Sequence, residues 1–249
     1  MMNTVYILWQ RQLKRFYRNK SRVIGSFAQP LLFLVAFGFG FGPVFEQAGQ
    51  GSYLQFLVPG IISMSVLFSS IFSGIELIWD KQFGFLKETL VAPVSRLKIM
   101  IGKVLGGATI AVMQGIIILL ISLLFGFKIF NVWFALLSII SMLITAILFT
   151  AIGTAIASKL TDMQGFQLLM NLLVMPLFFL SGALFPLDNL PKAISIITSL
   201  NPLTYAVDLI RYFLIGINSF SVVISIIILI TLMIFSVVIA SKLFSRMEV

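Results

Sequence analysis

The sequence predicts an all-α integral membrane protein with six membrane-crossing helices. Three observations carry the prediction. The chain is 60% hydrophobic with a mean hydropathy of +1.12, and only 10% of its residues are charged, where a soluble domain carries about a quarter. Six apolar stretches each approach the roughly 20 residues that a helix needs to cross a bilayer. Finally, Lys and Arg divide very unevenly between the two sides that six crossings create.

Residues 3–22 come before the first span. At about 100° per residue, Val5, Leu8, Trp9, Leu13 and Phe16 fall on one face and Arg11, Lys14, Arg15 and Arg18 on the other. This is an amphipathic interfacial helix, expected to lie with its basic side toward anionic headgroups. Asn19-Lys20-Ser21-Arg22 reads as the turn into the bilayer. No continuous apolar core precedes Val23, so a cleavable signal is not expected.

The spans lie at about 23–41, 56–78, 99–125, 132–157, 166–185 and 220–241. Pro30 starts or kinks the first and Gly42-Pro43 closes it. Gln167 and Asn171 soften the start of the fifth. With six crossings, 14 of the 17 basic residues share one side with both termini, leaving Lys128, Lys192 and Arg211 opposite. An odd number of spans spoils that split. The basic side is therefore read as cytoplasmic, in a multi-pass protein of the cell membrane.

Between spans five and six, Pro186, Asp188, Asn189 and Pro191 make a turn region. Asn201-Pro202 then starts a helix, with Asn as cap and Pro in the first turn. It should run through Leu203, Tyr205, Leu209 and Phe213, with Asp208 and Arg211 three apart and able to pair. A lipid-facing surface helix fits this segment. So does a re-entrant pair of short helices dipping into the outer leaflet, provided that protein covers the irregular backbone.

Residues Trp79 to Arg96 form the longest polar interruption in the chain. Phe83, Leu86, Leu90 and Val91 recur there at helical spacing, with Lys81, Gln82, Lys87 and Glu88 between them. The expectation is a short amphipathic helix over 81–91, stopped by Pro93. Spacing alone leaves open whether it is a solvated interfacial loop or plugs into a partner.

The run Phe83-Gly84-Phe85-Leu86-Lys87-Glu88-Thr89-Leu90-Val91-Ala92-Pro93-Val94-Ser95-Arg96 resembles the intracellular motif of type 2 ABC-transporter permeases, the group that includes daunorubicin-resistance-type exporters. Ser181–Pro191 and Asn201–Asp208 are similar to that family as well, so the likeness covers nearly the whole chain in motif order. The resemblance implies one transmembrane domain over residues 1–249 and a coupling helix between spans two and three that sits in a groove of a separate cytoplasmic ABC ATPase. Phe83, Gly84, Leu86, Glu88, Leu90, Pro93 and Arg96 would make that contact. Pro186, Asp188, Asn201, Pro202, Tyr205, Asp208 and Arg211 would form an outer gate. A second permease copy or homologue is implied, with a homodimer expected, and relatives use the N-terminal helix beside the ATPase too.

The chemistry the chain lacks narrows its function. It has no Cys and no His, so cysteine nucleophiles, histidine bases and the usual zinc sites are excluded. Gly102-Lys103-Val104 lacks the earlier glycine and the hydroxyl residue of a phosphate loop, and Gly38, Gly40 and Gly42 have no lysine to reach a phosphate. The protein is therefore not expected to be an enzyme or to hold a cofactor, ATP-Mg being bound by the partner. The net charge of +9 follows from its basic membrane side rather than from nucleic-acid binding. Glu76 is the one acid inside a predicted span, a turn from Asp80, and Glu76, Asp80 and Lys81 can form a polar cluster at the cytoplasmic end. Gly102-xxx-Gly106 and Gly153-xxx-Ala157 let helices approach closely. The resulting reading is the permease subunit of an ATP-driven exporter of a hydrophobic drug, lipid or lipid-linked glycan. Its rivals are an ion-gradient carrier dependent on Glu76, a membrane enzyme built on Glu76 and Asp80, and a non-transporting scaffold or sensor.

Overall fold

The computed structural model describes residues 3–47, 51–187 and 191–247, and their regular structure is wholly helical. The helices are α1 (Asn3–Arg18), α2 (Lys20–Gln47), α3 (Tyr53–Phe72), α4 (Ile75–Gln82), α5 (Phe85–Val91), α6 (Arg96–Leu124), α7 (Val132–Lys159), α8 (Met163–Phe179), α9 (Lys192–Leu200), α10 (Pro202–Ile215) and α11 (Val222–Ser245). Helices cover each predicted span, with ends that agree to within a few residues in most cases. The differences have local causes.

The expected helix over 3–22 divides at Asn19. Its Oδ1 accepts the Arg22 N–H at 3.0 Å, which caps α2 and draws Lys20–Arg22 into that helix. α2 also runs through Pro30 and Pro43 to Gln47 instead of closing at Gly42. Interior proline is tolerated in membrane helices because neighbours re-satisfy the freed backbone groups. The second span is α3 and α4 together, over Tyr53–Gln82, with a turn at Ser73-Gly74. Among the described residues, five elements are long and apolar enough to cross a bilayer: α2, α3–α4, α6, α7 and α11.

α8 is apolar but shorter than these five. It has 17 residues and stops at Phe179, short of the expected 185. The chain goes on as irregular backbone in which Ser181, Gly182, Ala183 and Leu184 are all buried. The Tyr53 hydroxyl donates to the Leu184 carbonyl at 2.9 Å, so this run reaches the level at which α3 begins. Non-helical backbone survives at membrane depth when protein surrounds it.

α9 and α10 meet at 82°. Asn201 caps α10 by accepting the Leu203 N–H at 3.0 Å, and Pro202 takes the first helical position, as expected. Pro202 lines an apolar cavity along α7 and α11 that runs from Leu148 and Leu232 to Lys159 and Leu243. The other end of α10 returns to the α6–α7 turn, where the Phe130 N–H donates to the Leu214 carbonyl at 2.9 Å. The pair is thus sharply bent, as a broken span or a re-entrant loop would be.

α3 is the most buried crossing, and α2 and α11 are the most exposed. Both small-residue motifs serve packing inside the chain. Gly102 and Gly106 receive α1, since a Cβ on them would lie 2.9 Å from Leu8 Cβ and 2.6 Å from Gln12 Cβ. Gly153 lets α7 meet the α3 backbone, 2.4 Å from the Ile71 carbonyl by the same measure.

Candidate functional site at the basic end

The polar stretch forms an elbow. Phe83 ends α4 and Gly84 adopts φ +77°, a left-handed conformation that costs other residues strain and marks a glycine position. The predicted continuous helix over 81–91 is thus two pieces, and α5 has seven residues. Ala92 is extended ahead of Pro93, which ends α5 as expected. Reorientation at Gly84 redistributes the predicted apolar face. Phe83 is 70% exposed and stacks on Trp79 at 5.1 Å between centroids. Val91 is 85% exposed, while Leu86 is 0% exposed and belongs to the protein's own core. Leu90 is half-buried, and Lys87 and Glu88 are exposed. Leu86 is therefore corrected from a partner contact to an internal anchor. Arg96 also turns inward, its Nη1 donating to the carbonyls of Ser245 and Met247 at 2.6 and 3.0 Å. That ties the start of α6 to the end of α11.

Behind the elbow lies an ion cluster whose full membership the sequence did not reveal. Asp80 is 2% exposed and collects three cations from two other helices. Both Nη groups of Arg11 engage its carboxylate, at 3.1 and 3.2 Å. Arg15 donates to it at 3.0 Å, and Lys103 on α6 donates from the buried side. One turn away, Arg22 pairs with Glu76, itself 3% exposed. Buried acids need such partners, since an unpaired ion away from water is very costly. Arg11 and Arg15 were expected to face lipid headgroups; these two face Asp80, because the buried carboxylate is the stronger attractor. Arg11 further stacks on the Phe85 ring at 3.4 Å from its centroid. One guanidinium therefore joins α1 to both α4 and α5.

Lys81 departs from the expected trio. Its Nζ donates to the carbonyls of Ala157, Ser158 and Leu160 at 3.0, 2.8 and 3.0 Å. It caps the C-terminal end of α7, where orphan carbonyls and the helix dipole favour a cation.

At the opposite end, Asp208 and Arg211 do not pair. The Asp208 carboxylate accepts the Ser219 and Phe220 N–H groups at 2.6 and 3.2 Å, ahead of α11. Arg211 donates to the Gly182 carbonyl at 2.9 Å and lies over the Phe56 ring at 4.0 Å. Arg211 thereby satisfies a buried carbonyl, and Asp208 caps the approach to α11. The Asn201 amide donates to the Leu177 carbonyl at 2.7 Å, and the Tyr205 hydroxyl to the Ser199 carbonyl at 2.6 Å. Pro186 is half-buried in the irregular run. Asp188 lies outside the described residues.

Long apolar helices, a sharply bent helix pair at one end and a braced elbow at the other define a polytopic membrane protein. The chain belongs to the ABC-2 type transporter family, whose model matches residues 3–215. It is 31% identical to the putative transport permease ycf38 of Cyanophora paradoxa over 211 residues, 84% of this chain and 73% of that protein. It is 29% identical to the inner membrane transport permease YadH of Escherichia coli K12 over 214 residues, 85% and 82% of the two chains. Nodulation protein J of Rhizobium leguminosarum bv. viciae is 27% identical over 214 residues, 85% and 79%.

Proposed function

We propose that this chain is the membrane subunit of an ATP-driven exporter, with a separate cytoplasmic ATPase docking on the elbow. Two permease copies enclose the path, and the cargo is a hydrophobic drug, lipid or lipid-linked glycan. The observation that carries the reading is the bracing of α5. Leu86 anchors it in the core, and Arg11 links it to α1 and α4. Lys87, Glu88 and Val91 stay exposed on it, as does Phe83 across the Gly84 turn at the end of α4. A rigid element with an exposed aromatic anchor can pass a partner's movement to the spans; a loose loop cannot. Pairing of Glu76 with Arg22 occupies the acid on which an ion-gradient carrier would depend.

The test is co-purification with a co-expressed ATPase subunit, followed by transport in proteoliposomes. Phe83→Ala with Val91→Ala should leave the permease folded, weaken the complex by about 2 kcal/mol or more and abolish transport. The permease alone should hydrolyse no ATP. Unchanged binding and transport in the double variant would make the elbow a surface loop only.

A further inference from the structure

A groove of about 490 Å³ runs between α7 and α11, bordered by Leu169 of α8 and Pro202 of α10. Its walls are apolar apart from Lys159 and Ser236. The Ser236 hydroxyl donates to the Met233 carbonyl at 2.9 Å, so its proton is used within α11. Lys159 is the last residue of α7 and is exposed. The four ion pairs among the described residues engage Arg11, Arg15, Arg22 and Lys103, and Lys159 enters none of them. The acid next to it in sequence, Asp162, accepts the Gln164 and Gly165 N–H groups at 2.8 and 2.9 Å as the cap of α8. Leu243, at the same end of the groove, follows the exposed Lys242. One end is therefore cationic and the remainder is apolar.

The dimensions match one leaflet of a bilayer. Leu148 to Lys159 on α7, and Leu232 to Leu243 on α11, are each a step of eleven residues, about 16 Å of helix at 1.5 Å per residue. The hydrocarbon core is roughly 30 Å thick, so the groove reaches from the basic end to about its middle. It opens outward, since Leu169 and Phe235 on its walls are 40% and 62% exposed. A lysine at a helix end extends its charge to the interface while its stem stays on apolar surface. Chain-length apolar walls below a snorkelling cation fit an amphiphile with its tail along the helices.

The sign of the charge selects the head. An ammonium head is repelled by Lys159. A zwitterionic head carries its own cation beside its phosphate and gains little. An anionic phosphate head gains most. A second copy of this chain is a poor occupant, because a two-fold contact sets the same patch against itself. α7 and α11 carry no acid, so lysines would face lysines there.

We infer that this groove is a binding site for an anionic phospholipid of the leaflet at the basic end, with an acyl chain along α7 and α11 and the phosphate on Lys159. The inference goes beyond the transport reading. It concerns a lipid retained on the outer wall of the helices rather than cargo, and it needs only that the chain lies in a bilayer.

The full chain is placed in phosphatidylcholine nanodiscs doped with phosphatidylglycerol or phosphatidylcholine bearing a diazirine in one acyl chain, and the labelled residues are mapped by mass spectrometry. Phosphatidylglycerol adducts should concentrate on residues 148–160 and 232–243 and be competed by unlabelled phosphatidylglycerol. They should exceed phosphatidylcholine adducts there at least about fivefold, the factor that one lysine contributes beside anionic lipid. Lys159→Gln should cut that preference about fivefold. Lys128→Gln, an exposed lysine at the opposite end, should leave it unchanged. Ile239→Trp, which fills the groove from its wall, should remove the adducts of both lipids from it. Where Ile239→Trp is not recovered folded, the two lysine variants decide, since both positions are exposed. Equal labelling by the two lipids, equal effects of the two lysine variants, or adducts spread evenly over the outer surface would overturn the inference. A groove covered by a second copy yields no lipid adduct there, which overturns it as well.

Discussion

The Arg11 guanidinium lies 3.4 Å from the Phe85 ring centroid while both its terminal nitrogens hold Asp80. A residue of the surface helix thereby fixes the angle between the end of a span and α5. The elbow is a supported joint, and its behaviour on mutation follows from what supports it.

Asp80→Asn should destabilise the protein more than any single loss among its partners. It leaves Lys103, 5% exposed, with an uncompensated charge, and breaking a buried pair in this way costs about 3–5 kcal/mol. Adding Lys103→Met should recover much of the loss, because the orphaned cation goes with it. Arg15, whose side chain is 32% exposed, should cost about 1 kcal/mol or less when truncated. Thermal melts of the four proteins in one detergent give the comparison. An Asp80→Asn variant that melts with the wild type refutes the cluster's structural role.

Gly84→Ala tests the joint without touching the cluster. A Cβ there meets no atom within 4 Å, so the penalty is conformational only. Holding alanine at φ +77° costs about 1–2 kcal/mol. The chain can relieve this by straightening α4 into α5, which swings Phe83. We expect a modest fall in melting temperature together with a larger proportional loss of ATPase co-purification. Loss of stability with full binding would separate the joint from docking.

The chain contains no cysteine, so sidedness can be read with single introduced thiols. Ser52, Ser95, Asn131 and Ser245 are all exposed. Ser95 and Ser245 lie at the end where Arg96 meets the α11 carbonyls, and Ser52 and Asn131 lie at the other. Impermeant maleimide on intact cells should label Ser52→Cys and Asn131→Cys only. Modification of Ser52→Cys and Ser95→Cys from the same side would eliminate the six-crossing path.

The sequence by itself determined the long apolar helices, the Asn-Pro start of α10 and the location of the polar elbow. Those follow from local rules: apolar length, an Asn-Pro start at residues 201–202, a proline stop at 93 and the positions of charge. Glu76 was legible as an anomaly, because a carboxylate in a span demands a partner, and Asp80 only as its neighbour one turn on. Which cations answer them was not legible. Arg11 is 69 residues from Asp80, and on α1 alone it belongs to a polar face pointing at headgroups. Only the docking of α1 on Gly102 and Gly106 turns that face toward the carboxylate. Periodicity likewise put Phe83, Leu86 and Leu90 on one stripe. The left-handed turn at Gly84 divides it, burying Leu86 and leaving Phe83 outside. Asp208 and Arg211 are spaced to pair, yet each binds backbone in a different neighbour. Local chemistry thus decides which elements exist, while the partner of a charge and the exposed side of a short helix depend on segments far away in the chain. Those are tertiary facts, because a buried polar group binds whatever the fold brings within 3 Å or so of it.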